Sequence, residues 1–235
     1  MEIGHCGRME PLLAFERRGT GNQPLLLLHG FLGAGRNLAS LGRRLCEKVP
    51  TVQAVLPDLS GHGASAPWPE QGSLDSVAQA LRHLVQHLGL PTPLTVMGHS
   101  MGGRVALQML QSVPEVVQKV VFIDIPPGPL QPSAGGVAKL FKHLLAAPAT
   151  LGSREAMRQY FLEDGNSAAL TDWLLMNFVP RDGAFAWRFD RTWLNAYRKA
   201  FAYVDLWPLV QAHAGRLHCV VGGNSDYLQP ADLEH

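Results

Sequence analysis

Leu94-Thr95-Val96-Met97-Gly98-His99-Ser100-Met101-Gly102-Gly103-Arg104-Val105-Ala106-Leu107 joins an apolar run to a helical stretch through a serine set between glycines. Leu94–Met97 is a short apolar run of the kind that forms a strand buried on both faces, and Gly102–Gln111 carries apolar residues at helical spacing. Between them Gly98-His99-Ser100-Met101-Gly102 fits G-x-S-x-G, the pattern that sets a serine on a sharp strand-to-helix turn. A side chain on such a bend has strained dihedrals, and a Cβ at Gly98 or Gly102 would crowd its backbone neighbours. The amino end of the following helix offers unpaired N–H groups and a dipole that favours negative charge. Ser100 is therefore the expected nucleophile.

Working outward, short apolar runs alternate with glycine-rich corners and helical stretches, which implies parallel strands joined by helices. The expected strands are Leu12–Arg17, Leu25–Leu28, Val52–Leu56, Leu94–Met97, Val120–Ile123 and Leu217–Val221. Asn37–Lys48, Leu74–Leu88 and Gly102–Gln111 are the helices between them, each with one apolar side for the sheet. A dinucleotide-binding unit is excluded, because Gly30 to Gly35 does not spell G-x-G-x-x-G and no acidic residue follows at the needed place. From Gly128 to Trp207 the strand rhythm gives way to helical stretches rich in aromatics, entered through the breaker cluster Pro126-Pro127-Gly128-Pro129. The expected organisation is thus a core over 1–127, a helical lid over 128–207 and a second piece of core over 208–235. A plain helical layer packed on the core is the alternative for 128–207.

His29-Gly30-Phe31 follows the strand Leu25–Leu28, where a second backbone donor would face the nucleophile. The amides of Phe31 and Met101 are the expected oxyanion donors, a role in which loss of one donor typically lowers turnover ~10²–10³-fold. His29, Gly30, His99, Phe178 and Trp187 are candidate substrate-contacting residues, with a structural, loop-bracing role the better reading for His29. Asp58-Leu59-Ser60-Gly61-His62-Gly63-Ala64-Ser65 is similar to the D-x-x-G-x-G-x-S turn of α/β-hydrolases. With the nucleophile and oxyanion motifs it gives three motifs in that superfamily's order, so the chain resembles an α/β-hydrolase. More narrowly, Phe122-Ile123-Asp124-Ile125-Pro126, Asn177-Phe178-Val179 with Trp187-Arg188-Phe189, and Gly222-Gly223-Asn224-Ser225 resemble the YbfF-type small esterases. The resemblance implies a mostly parallel central sheet flanked by helices with a helical lid. It also implies a serine hydrolase of short acyl esters or acyl thioesters, needing no cofactor.

Attack by serine requires a histidine to take its proton and a carboxylate to hold that histidine. Asp124, ending the strand after the nucleophile helix, is where the resembled branch keeps its acid; Asp226, the alternative, lies where most other α/β-hydrolases keep theirs. The resemblance places the histidine after one further helix and strand. Only 13 residues follow Gly222, and Leu233-Glu234-His235 reads as a tag remnant, so the expectation is that the chain ends before that histidine, strand and helix. No other histidine fits the base role. His62 and His99 belong to loop motifs, His213 and His218 lie at the wrong end of the last strand, and nothing orders His235. His83 and His87 lack a third ligand and read as a polar helix face, so no metal is expected.

The 235 residues are 46% hydrophobic and 17% charged, the range of one soluble globular domain. A formal net charge of +1 argues against nucleic acid as a partner. The three cysteines form no C-x-x-C pair, and no apolar run reaches the ~20 residues of a membrane span. The expectation is a soluble cytoplasmic protein without membrane contact, acting on a small-molecule ester or acyl thioester. A mitochondrial-matrix origin stays open. It would be a monomer or associate weakly through an exposed edge at Leu217–Val221. Two other functions stay open: a carbon–carbon hydrolase or lyase on the same machinery, and a noncatalytic ligand-binding module that lacks the base. An aspartate-dependent dehalogenase is excluded by serine at position 100.

Overall fold

Leu25–Leu28, Val55, Val96, Val117 and Val120 are too apolar to face water, and they bury both sides of a central sheet in the computed structural model, which describes residues 12–66, 72–130, 136–223, 225 and 228. In chain order the core elements are β1 (Phe15–Arg18), β2 (Gln23–Leu28), α1 (Ala39–Lys48), β3 (Val52–Pro57), α2 (Leu74–His87), β4 (Leu94–His99), α3 (Met101–Ser112) and β5 (Val117–Ile123). Then follow α4 (Gly136–Ala146), β6 (Thr150–Leu151), α5 (Arg154–Glu163), α6 (Ala168–Leu174), β7 (Phe178–Arg181), β8 (Ala184–Trp187), α7 (Arg191–Ala202), α8 (Trp207–His213) and β9 (Leu217–Val220). The six-stranded sheet has the order β1-β3-β2-β4-β5-β9, parallel throughout except for the antiparallel β1. Every expected strand is present, with the first beginning later, at Phe15, and the fifth earlier, at Val117.

Alternation along β2 divides the core. Leu26 and Leu28 point to the side covered by α2 and α3, while Leu25 and Leu27 point to the side where Leu45 of α1 packs. Truncating one of these buried leucines to alanine costs ~2–5 kcal/mol, a large part of the stability of a single domain. The order β3-β2-β4 makes the gap between β2 and β4 a topological switch point. There the segments after neighbouring parallel strands leave in opposite directions, and a crevice opens at the strands' carboxyl ends. The loop after β2 and the turn after β4, the two elements singled out by sequence, both start at this crevice.

The segment between β5 and β9 differs from the purely helical reading of 128–207. Its helices are accompanied by a three-stranded antiparallel sheet, β6-β8-β7. Strands β7 and β8 form a hairpin whose turn residues, Asp182 and Gly183, have φ of 49° and 81°. Asp-Gly between apolar-alternating residues is the sequence signature of such a two-residue turn, and here Pro180 and the four-residue strands hide it. Part of this segment forms a core of its own, in which Phe141, Phe161, Phe178, Trp187 and Leu194 cluster with Leu32 from the loop after β2, while Tyr197 and Phe201 join the main core.

Candidate active site

Ser100 stands between β4 and α3 with φ 52° and ψ −120°, a left-handed backbone that a residue with a Cβ adopts only under constraint. The constraint is visible on both sides. A Cβ at Gly98 would lie 2.1 Å from the carbonyl oxygen of Gly102, and one at Gly102 would lie 2.3 Å from that of Leu28. The bend is therefore as tight as backbone packing allows, and glycine is required at both positions. The Ser100 amide donates to the Ile123 carbonyl at 2.9 Å, which ties the bend to the end of β5.

Gly30, in the loop after β2, runs alongside this bend. A Cβ built on Gly30 would be 3.3 Å from the Ser100 Cβ and 3.2 Å from His99 Nδ1. The loop then turns through Phe31 and Leu32, closed by a hydrogen bond from Gly33 N–H to the Gly30 carbonyl at 3.0 Å. Among the described residues, neither the Phe31 N–H nor the Met101 N–H has a hydrogen-bond partner, and neither has the Ser100 hydroxyl. Phe31 follows Gly30, which packs against the bend, and Met101 follows Ser100, so both amides belong to the two segments that meet at the carboxyl edge of the sheet.

His29 braces this loop. Its Nε2 accepts the Leu59 N–H at 2.9 Å, so Nδ1 carries the proton and donates it to the Gly30 carbonyl at 2.8 Å. Burial pushes its pKa down to about 4, so the ring is neutral. Both ring nitrogens of His29 are thus engaged in bracing the loop. The Asp58–Ser65 turn has a matching job. Asp58 accepts from Gly35 N–H at 2.7 Å and from Ala64 N–H at 2.8 Å, and Gly63 passes so close that a Cβ there would strike the carboxylate. His62, packed against Phe31, is also neutral, with burial lowering its pKa to about 3.

Asp124 follows β5 with φ 58°. Its N–H donates to the Val220 carbonyl at 2.8 Å, and its Oδ1 accepts from Gly222 N–H at 3.0 Å. The carboxylate therefore sits at the end of β5 beside the tie that anchors Ser100. Its charge also reaches His99: partial desolvation holds that imidazole below its ordinary pKa, and Asp124 pulls it back up. The alternative acid, Asp226, and His235 lie outside the described residues. Phe178 and Trp187, 2% and 5% exposed, are core residues of the 128–207 segment, with the indole N–H of Trp187 donating to the Pro148 carbonyl at 3.0 Å. His83 and His87 lie along α2, and no group of three or more His, Cys, Asp or Glu side chains that could hold a metal ion occurs among the described residues. No helix among them is long and apolar enough to cross a membrane.

Sequence reasoning missed Arg104, which is fully buried on α3. Its guanidinium donates to the carbonyls of Pro126, Pro127 and Gly128 at 2.8, 3.1 and 2.7 Å and to that of Val204. These carbonyls lie where the chain leaves the core after β5 and where it returns after α7. Arg104 thus fastens both strands of that neck to the helix that begins at Ser100. The sequence signal was an arginine placed among apolar residues on the inner face of the nucleophile's helix.

Comparison with known proteins gives a consistent picture. A family model described as the alpha/beta hydrolase fold matches residues 23–176. The sn-1-specific diacylglycerol lipase ABHD11 of Mus musculus is 28% identical over 214 residues, covering 88% of this chain and 67% of that protein. A putative esterase/lipase of Haemophilus influenzae is 28% identical over 217 residues, covering 92% of this chain and 71% of its own length. Among solved structures, a marine microorganism esterase superposes with a TM-score of 0.80 at 23% identity, over 95% of this chain and 85% of that one. The chain spans about two thirds of the length of the first curated relatives it matches, 67%, 65% and 64%.

Proposed function

The chain belongs to the alpha/beta hydrolase family, and on that premise we propose that it is a serine hydrolase that cleaves carboxylic esters or acyl thioesters through an acyl-Ser100 intermediate. The observation that carries the reading is the strained Ser100 bend, held tight by two glycines at which a Cβ would strike backbone and packed against the loop that carries Phe31. Strain of this kind persists only where the surroundings over-determine it, and it clusters where chemistry is done.

In this reading the Ser100 Oγ adds to the substrate carbonyl carbon as its proton passes to a base. The carbonyl electron pair becomes an oxyanion between the amides of Phe31 and Met101. Collapse of that intermediate breaks the bond to the alcohol or thiol, which leaves with a proton, and water then releases the acid by the same two steps. Asp124 is the proposed acid, because its Oδ2 has no partner among the described residues while Oδ1 is held by Gly222. No described histidine hydrogen-bonds Ser100, so the base is assigned to none of them. The 128–207 segment is the proposed lid, its aromatic core reaching the Phe31–Leu32 turn. The named activities of the mouse and Haemophilus relatives, a diacylglycerol lipase and an esterase/lipase, make a carboxylic ester the first substrate class to try.

Reaction with a fluorophosphonate, read by intact mass and peptide mapping, tests the assignment. The expected result is slow phosphonylation at Ser100, absent in Ser100→Ala and accelerated by added imidazole, which supplies the proton acceptor. A chain left unmodified at Ser100, with imidazole present, would instead favour the noncatalytic binding module.

A further inference from the structure

We propose that Asn177 is a positioning residue for the oxyanion hole: from the 128–207 segment it holds the turn that carries the Phe31 amide. The proposal rests on the serine-hydrolase reading for its consequence, and on hydrogen bonds of the Gly30–Gly33 turn for its cause. That turn is closed by Gly33 N–H on the Gly30 carbonyl, so Phe31 and Leu32 are its two central residues. Leu32 has φ 61°, at the turn position where a positive φ normally demands glycine. A leucine stays there only if something holds it.

Two things do. The Leu32 side chain, 1% exposed, is built into the aromatic core of the 128–207 segment with Phe178 and Trp187. Its carbonyl accepts the Asn177 Nδ2–H at 2.9 Å across 145 residues of sequence, and Asn177 is itself 3% exposed. Asn177 is fixed in turn. It is the last residue before β7, its own carbonyl accepts the Arg188 N–H at 2.8 Å, and the carbonyl of Met176 beside it accepts from Arg36 Nη2 at 3.0 Å. Arg36 follows the oxyanion loop directly, so the hairpin and the loop are joined at two points. Without the Asn177 amide, Leu32 would keep a buried, unpaired carbonyl in a backbone conformation it disfavours. The turn would relax, and the Phe31 N–H would lose its fixed direction. The 128–207 segment thereby sets the geometry of the catalytic turn in addition to covering it.

The test separates chemistry from mere stability. Phosphonylation of Ser100 is followed for its maximal rate and for the half-saturating probe concentration, alongside hydrogen exchange of the peptide spanning 29–35. Asn177→Ala lowers the maximal rate by about 10- to 100-fold, short of outright loss of a donor, and shifts half-saturation by no more than about threefold. Exchange at 29–35 speeds up while α2 is unchanged. In a Leu32→Gly background, where the positive φ is unstrained, the same substitution has an effect of at most about threefold. Asn177→Ser serves if the alanine variant does not fold. Unchanged exchange at 29–35, an unchanged maximal rate, or equal losses in both backgrounds overturns the proposal. If Ser100 fails to label even in the unsubstituted chain, the hydrolase reading falls separately, and the exchange rates alone decide whether Asn177 holds the turn.

Discussion

Arg104→Met should destabilise the protein by ~3–5 kcal/mol, the range for removing one partner from a buried charged network. The substitution keeps most of the volume and removes only the donors, so the estimate rests on hydrogen bonds. Four carbonyls accept from the guanidinium, and one of them, Pro127, keeps a second donor in the Leu206 N–H at 2.9 Å. Pro126, Gly128 and Val204 are left without a partner, at ~1–3 kcal/mol each. Against this stands the relief of a desolvated charge, visible as the fall of the Arg104 pKa to about 10 through burial; that shift corresponds to ~3 kcal/mol. The net of these terms, about 0–6 kcal/mol, is centred near the lower end of the range above. Hydrophobic replacement of a buried ion pair is often neutral because both partners go, but backbone carbonyls cannot be substituted away. Thermal unfolding followed by circular dichroism should show a midpoint lowered by about 6–20 °C for a chain of this size. Arg104→Lys, which can reach fewer carbonyls, should fall between. A midpoint for Arg104→Met within about 2 °C of the parent would show that these carbonyls find other donors, and would refute the argument.

Three further outcomes follow from the site. Gly98→Ala forces a Cβ to within 2.1 Å of a backbone oxygen and should nearly abolish Ser100 phosphonylation, whereas Gly152→Ala, with nothing within 4 Å, should leave it unchanged; equal behaviour of the two would remove the case for a strained bend. Asp124→Asn keeps an acceptor for Gly222 N–H and a residue that tolerates positive φ, so the His99 pKa should fall further once the charge that raises it is gone; a His99 titration by NMR that stays put or moves up contradicts the placement of that charge. The neutral, buried His29 and His62, with pKa values near 4 and 3, are outcompeted for protons by their unfolded counterparts below about pH 6.5. Stability is then complete above that pH and declines on acidification by about 1.4 kcal/mol per pH unit for each ring until the folded pKa values are reached. Urea midpoints that do not change between about pH 5 and 7 would count against it.

How far the sequence could be read depends on whether each feature is local or long-range. The G-x-S-x-G bend was legible because glycine at 98 and 102 answers to the backbone within a few residues and to the neighbouring strand, a demand that any sequence making the bend must meet. The sheet was legible because strands buried on both faces need continuous apolar runs, and Leu25–Leu28 and Val120–Ile123 supply them. The β7–β8 hairpin was not, since its four-residue strands are shorter than the window in which alternation can be distinguished from helical spacing.

Arg104 and Asn177, the second of which the sequence offered only as part of a family-like motif, make contacts that escaped for a different reason. Each is a polar residue in an apolar setting, and a single polar residue has no periodicity; its meaning lies in carbonyls that are 22 to 145 residues away. Arg104, on the helix after Ser100, bonds carbonyls at the two ends of the 128–207 segment, and Asn177, within it, bonds the turn that carries Phe31. Exchanging that segment for one of different sequence, while keeping the sheet intact, would therefore leave the helix after Ser100 and the Gly30–Gly33 turn without these fastenings. On the proposed roles of Ser100 and Phe31, specificity and catalytic geometry would be coupled through two side-chain hydrogen-bonding groups, and a changed segment should keep the site's geometry where an arginine-like donor and a buried amide still meet the same carbonyls.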